Sequence, residues 1–172
     1  VDIGQEKAGF LHISEIDRSL AAERIAKSQQ IEGLEDPSYD ARTVKRVMDI
    51  GKVFRENEDT LVQVIKEPVY EKGAKLTTCF TLPGKFIVLM PNIPQIGVSK
   101  KIENREERIR LRGILSAALP KGMGAIVRTT SEQRSASDIQ KDVAFLVSLW
   151  NTIQKKFAKA SAGECLFTDL PL

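Results

Sequence analysis

Nucleophiles and metal ligands are scarce in this chain. Its 172 residues include one histidine, His12, and two cysteines, Cys79 and Cys165. No C-x-x-C pair occurs, and one imidazole with two separated thiols does not make a zinc site. Two lone thiols fit a reducing compartment and leave a disulfide open. The chain lacks a phosphate loop, a G-x-S-x-G elbow and an H-E-x-x-H helix, which removes the common NTPase, α/β-hydrolase and zinc-protease chemistries. Its carboxylates Glu103, Glu106, Glu107, Asp138 and Asp142 fall in helical or turn patterns, whereas a two-metal site needs acidic residues at the ends of apolar strands. No catalytic residue and no metal ligand is therefore assigned. No apolar run is long enough to span a bilayer and no signal-peptide pattern is found, so the expectation is a soluble, cytoplasmic protein. The chain opens on Val1 without Met, and Phe167 to Leu172 carries no terminating signal, so it reads as a piece of something longer.

What remains is an ordinary mixture. Hydrophobic residues make up 42% and charged residues 28%, enough for a buried core. Lysine and arginine number 26 against 23 acidic residues, a net charge of +3. This mild excess tolerates a nucleic-acid partner without demanding one.

Two units are predicted, residues 1–82 and 83–172. In the first, Val1 and Ile3 alternate as a strand, Gly4 to Gly9 turn, and Phe10–Ile13 form a second strand. Residues 17–58 read as a helical insert: Leu20–Ile25 and Ala41–Met48 have helical spacing, Asp40 is a candidate N-cap, and Gly33, Asp36 and Pro37 mark a loop. Strands return at Thr60–Ile65 and Ala74–Thr81, around a turn at Glu71–Gly73. In the second unit, Phe86–Met90 is a continuous apolar run, expected to be covered on both faces. A charged helix spans about Glu103 to Leu119, with Glu106 and Arg110 one turn apart, a pair worth about 0.3 kcal/mol. Ala125–Val127 is a short buried strand. Ser137 is expected to cap a long helix with Gln140 at the capping-box position. Its stripe of Ile139, Val143, Leu146, Trp150, Ile153 and Phe157 faces a core.

The strand Ala125–Val127 ends abruptly in Arg128 and Thr129. A strand end is a rigid mount, the guanidinium is a planar fork suited to phosphate, and the threonine adds a hydroxyl beside it. Either an anion-holding device or an arginine paired with a surface carboxylate satisfies the pattern. Gly84 precedes a strand and would allow a ligand close to the backbone. Lys100 and Lys101 supply charge ahead of a helix. In the first unit, Phe10 and His12 lie two apart on one strand face, as in a stacking platform for single-stranded bases, or else Phe10 fills the core and His12 meets a carbonyl. Lys66 and Lys72 flank a hairpin, where they meet phosphates or only solvent.

Longer strings carry a resemblance. Leu61–Pro68, Lys72–Thr78, Leu82–Gly84, Val88–Pro91, Gly97–Ile102, Gly122–Thr129 and Asp142–Trp150, in this order, closely resemble the ribonuclease E/G family of bacterial endoribonucleases. The resemblance implies an α+β chain: an RNA-binding OB-fold β-barrel with its first strand cut short, then a mixed α/β 5′-sensor subdomain leading toward a ribonuclease H-like region. It implies that Arg128 and Thr129 grip the 5′-terminal phosphate of RNA, that Gly84 and Val88 cradle the terminal nucleotide, and that Phe10, His12 and Lys72 contact RNA, with Lys100 and Lys101 where the family has arginines. It further implies a parent endoribonuclease specific for single-stranded RNA, acting in rRNA processing and mRNA decay, with magnesium and a structural zinc held outside this chain and a homo-oligomeric assembly. The chain alone should bind RNA without cutting it. The competing expectation is a complete, non-enzymatic RNA-binding protein.

Overall fold

The computed structural model describes residues 1–29 and 50–168. The chain divides into two compact units, Val1–Cys79 and Phe80–Leu172. Among the described residues no helix is long and apolar enough to cross a membrane.

In the first unit the amino terminus folds back on itself. The Val1 ammonium donates to the Gly9 carbonyl at 2.9 Å, and Gly9 N–H returns the bond to Val1 at 2.8 Å. Asp2 accepts from Gly4 N–H, which sets a tight turn. Val1 to Ile3 is therefore closed locally and is not a strand. Strand β1 (Phe10–Leu11) runs parallel to β3 (Lys75–Thr77), and β2 (Gln63–Lys66) runs antiparallel to β3 with an irregularity between Val64 and Lys66. The sheet order is β1-β3-β2. Gly73 lets the β2–β3 connection rest on the chain entering β1, since a Cβ there would lie 1.9 Å from the Ala8 carbonyl oxygen.

Helix α1 (Arg18–Gln29) begins after Asp17, whose carboxylate accepts from Leu20 N–H at 2.9 Å. A single helical turn, α2 (Ile50–Val53), follows. Leu11, Ile16, Ala21, Val53, Ala74 and Leu76 make the core. Thr78 Oγ1 accepts from the Asp17 N–H at 2.7 Å and Lys75 pairs with Glu15 at 2.7 Å, so helix start and sheet are tied together. Three open strands are fewer than the five of an OB barrel, and no closed barrel forms among the described residues. The expected helix Ala41–Met48, its cap Asp40 and the loop at Gly33, Asp36 and Pro37 lie outside them.

The second unit is a four-stranded mixed sheet, β4 (Leu82–Pro83), β5 (Ile87–Met90), β6 (Ile96–Val98) and β7 (Gly124–Val127), in the order β4-β5-β7-β6. Helix α3 (Arg105–Ala118) lies against β6 and β7, and α4 (Ala136–Phe157) lies against β5 and α3. Alternation decides what the helices cover. Ile87, Leu89, Ala125 and Val127 are fully buried. Between them Val88 is half-buried and its register partner Ile126 is 41% exposed. Phe86–Met90 is thus not covered on both faces, because both helices pack on one side.

The helix ends differ in detail from expectation. Ser135, not Ser137, caps α4 by accepting from Asp138 N–H at 3.1 Å. Asn104 caps α3 through Glu107 N–H at 3.0 Å. Along α4, Ile139, Val143, Leu146, Trp150 and Ile153 are buried, with the Trp150 ring 5.1 Å from that of Phe80, but Phe157 is 37% exposed. Arg110 pairs with Glu107 rather than Glu106, because Glu107 also accepts from Gln133 N–H and so turns toward the loop after β7.

Candidate functional site

The four strands of the second unit share one register position on the side away from the helices. Pro83 pairs with Val88, Val88 with Ile126, and Ile126 with Gly97. The result is a short apolar row open to solvent. Beyond it β7 ends, and Arg128 continues the register by donating its N–H to the Phe86 carbonyl at 2.9 Å. Two residues beyond Ile126, Arg128 falls on the same side of the sheet. Its side chain is exposed and makes no ion pair among the described residues. Instead Nη1 donates to the Gly84 carbonyl at 2.5 Å, which fixes the fork while leaving its other N–H donors without acceptors among the described residues. The structure thus brings Arg128, Thr129, Gly84 and Val88 to one end of the sheet.

Thr129 opens a one-turn 3-10 helix (Thr129–Ser131). Among the described residues its N–H has no acceptor and its hydroxyl has no partner. The rest of the turn is anchored: Thr130 Oγ1 donates to Lys85 O at 2.7 Å, and the buried Ser131 hydroxyl donates to Phe86 O. A fixed guanidinium beside a hydroxyl and an amide that have no partner among the described residues presents several unused donors in one place. Cations gather here. The Lys85 ammonium lies 5.2 Å from the centre of the Phe86 ring and the Arg134 guanidinium 5.9 Å from it. Lys100 and Lys101 follow β6, whose parallel pairing with β7 puts them at the same sheet end as Arg128. Both are exposed.

Two supports were not singled out from sequence. Asp142, on α4, accepts from three consecutive backbone donors: Lys85 N–H at 3.2 Å, Phe86 N–H at 2.8 Å and Ile87 N–H at 3.1 Å. It therefore shapes the loop whose Gly84 carbonyl holds Arg128. A Cβ at Gly84 would meet Asp142 Oδ2 at 2.6 Å and Leu146 Cδ1 at 2.7 Å, so any other residue must displace those side-chain ends. Arg108 is the second support. Its guanidinium donates to the carbonyls of Ser99 at 2.7 Å and Ile102 at 2.9 Å, clamping the turn that carries Lys100 and Lys101.

Glu107 and Arg110 latch the loop after β7. Arg110 meets Glu107 through both carboxylate oxygens, at 2.7 and 2.6 Å, and donates to Arg134 O at 3.0 Å. The Arg110 hydrogen bonds, aided by the Gln133 N–H, push the Glu107 carboxyl down to about 2.

In the first unit, β1 points Leu11 into the core and leaves Phe10 and His12 outside. Phe10 is 61% exposed and does not fill the core, and its ring centre is 6.0 Å from that of His12, tilted by 49°. Nδ1 of His12 accepts from Ser14 N–H at 3.2 Å, which leaves Nε2 as the protonated nitrogen of the neutral ring. Lys72 is exposed at the turn between β2 and β3. Among the described residues no three His, Cys, Asp or Glu side chains come together as ligands of a metal ion.

The pattern of the ribonuclease E/G family matches residues 81–172, over half of the chain and the whole of this sheet and its helices. The chain belongs to the ribonuclease E/G family. Similarity to family members also runs through the first unit. Ribonuclease G of Haemophilus influenzae is 36% identical over 159 residues, which cover 92% of this chain and 30% of that protein. Ribonuclease G of Escherichia coli K12 is 33% identical over 172 residues, all of this chain and 32% of the relative. Ribonuclease E of Buchnera aphidicola subsp. Schizaphis graminum is 36% identical over 171 residues, 98% of this chain and 16% of the relative. This ribonuclease E/G family member therefore spans about a third of the length of the ribonuclease G relatives.

Proposed function

We propose that this chain is the RNA-binding and 5′-monophosphate-sensing portion of a single-strand-specific endoribonuclease that acts in RNA processing and decay. The observation that carries the reading is Arg128: exposed, without a carboxylate partner among the described residues, pinned to the Gly84 carbonyl, and beside the free Thr129 hydroxyl and N–H. A terminal phosphate monoester presents oxygens to that fork, while its nucleoside lies on the apolar row of Val88 and Ile126. A 5′-hydroxyl leaves the guanidinium without its anion. A triphosphate adds charge and bulk next to the Gly84 loop. Phe10 and His12 stack bases of single-stranded RNA, and Lys72, Lys100 and Lys101 meet RNA phosphates.

Holding the end of an RNA converts cleavage elsewhere on that strand into an effectively intramolecular event. The chain's own part is to bind and orient. The hydrolytic step, with its magnesium, and the homo-oligomer belong in this reading to the parent enzyme, in the cytoplasm. The test is binding of short labelled RNAs that differ only in the 5′ group, with Arg128→Ala beside the wild type. The monophosphate should bind best, and Arg128→Ala should erase that preference while sparing general affinity. Equal binding of monophosphate and hydroxyl ends by the wild type would end the reading.

A further inference from the structure

Tyr70 is the most exposed large hydrophobic side chain among the described residues, at 95%. It stands at the tip of the connection between β2 and β3 with φ of 51°, the left-handed region that favours glycine. A slack turn would relax such a residue. This turn is fastened. Val69 and Lys72 exchange backbone hydrogen bonds of 3.1 and 3.0 Å across it, and the Lys7 ammonium donates to the Tyr70 carbonyl at 2.7 Å. With Gly73 seated on Ala8, the tip is bound along the segment that enters β1. Phe10, next along the chain in β1, is exposed, and its ring centre lies 6.0 Å from that of His12. Lys7, Lys66 and Lys72 are exposed on the same unit.

The series of phenol, ammonium, phenyl and imidazole matches a single strand of nucleic acid, in which bases with π-faces alternate with phosphates. A tyrosine held in a glycine-favouring conformation and left wholly uncovered contributes nothing to the core of this unit. We propose that Tyr70 is a third stacking position for single-stranded RNA, beyond Phe10 and His12, and that Lys7 both fixes the ring's backbone and adds charge to the strand's path. The inference rests on the RNA-binding reading above and extends it by one recognised nucleotide.

The test is fluorescence anisotropy of the 172-residue chain with 5′-phosphorylated single-stranded RNA oligomers, together with thermal melting of each variant. Tyr70→Phe keeps the π-face and should bind within about twofold of wild type. Tyr70→Gly should bind roughly 5- to 150-fold more weakly, the range of one lost base stack, without a fall in Tm, because glycine accepts the left-handed backbone. Scanning an abasic site along the RNA should reveal one position whose penalty vanishes in Tyr70→Gly. Three results each overturn the proposal: equal RNA affinity of Tyr70→Gly and wild type, an affinity loss matched by a loss of Tm, or a change in sedimenting mass with RNA affinity intact, which would mark a protein contact. A wild type that binds none of these RNAs at low salt defeats the RNA-binding reading itself. A wild type that binds while Tyr70→Gly binds equally defeats this inference alone.

Discussion

At the scale of single residues, the guanidinium of Arg128 does two things. One nitrogen holds the Gly84 carbonyl, and the remaining donors face solvent. Lysine would keep the charge but lose the fork, so Arg128→Lys should lower the preference for a 5′-monophosphate about tenfold, near 1.4 kcal/mol, in competition binding of RNAs with phosphorylated and unphosphorylated ends. Asp142 is the hidden counterpart. Asp142→Ala leaves three neighbouring N–H groups without their acceptor and should destabilise the second unit by about 1–3 kcal/mol, read by chemical denaturation. In the same protein the 5′-end preference should weaken, since the Gly84 carbonyl would no longer be set. Arg128 and Gly84 stand out in the sequence because a strand end and a glycine before a strand each leave a local signature, whereas Val88 enters only through the family resemblance. Asp142 could not. A carboxylate in a helical pattern looks the same whether it faces water or caps a distant loop, and the 55 or more residues between it and its donors carry no periodic signal.

At the scale of elements, helix ends and latches separate what local pattern tells from what tertiary contact decides. Ser135→Ala should cost about 1 kcal/mol, whereas Ser137→Ala should be near neutral, in parallel thermal melts. The reach of α4 and its buried stripe follow from apolar spacing, which persists over many turns. The cap fell two residues from expectation because serine occurs at both positions and only the backbone path selects between them. Likewise either Glu106 or Glu107 suits a helical pair with Arg110, and the Gln133 N–H, outside the helix, chooses Glu107. That choice has a pH signature. The Glu107 carboxyl is depressed in the folded chain, so its contribution is complete above the ordinary carboxylate value of 4.5 and is lost as pH falls toward about 2. Wild type and Glu107→Gln should therefore differ in Tm at pH 6 and converge near pH 2.

At the scale of the whole chain, the proposed function divides between the two units: exposed rings and lysines in the first, and Arg128 fixed at a strand end in the second. Lys72→Ala should weaken all RNAs alike and reduce the slope of log affinity against log salt by about 1, measured by titration between low and moderate salt. Arg128→Ala should instead change the ranking of RNAs by their 5′ ends. The mixture of helix and strand was evident from alternating and helical apolar spacing. Closure of a barrel was not, because it depends on which strands meet at the seam, and residues 10–11 and 75–77 supply too few positions to declare their partners.

The hydrogen atom that serves as the side chain of Gly84 has a consequence for any test of the proposed 5′-end recognition. The space beside it is already filled by the Asp142 carboxylate and a Leu146 methyl. One added methyl group at that position must push the ends of those two side chains aside, at the loop whose carbonyl holds Arg128. Gly84→Ala should therefore weaken the proposed preference for a 5′-monophosphate without altering a single charged residue, read by the same competition binding.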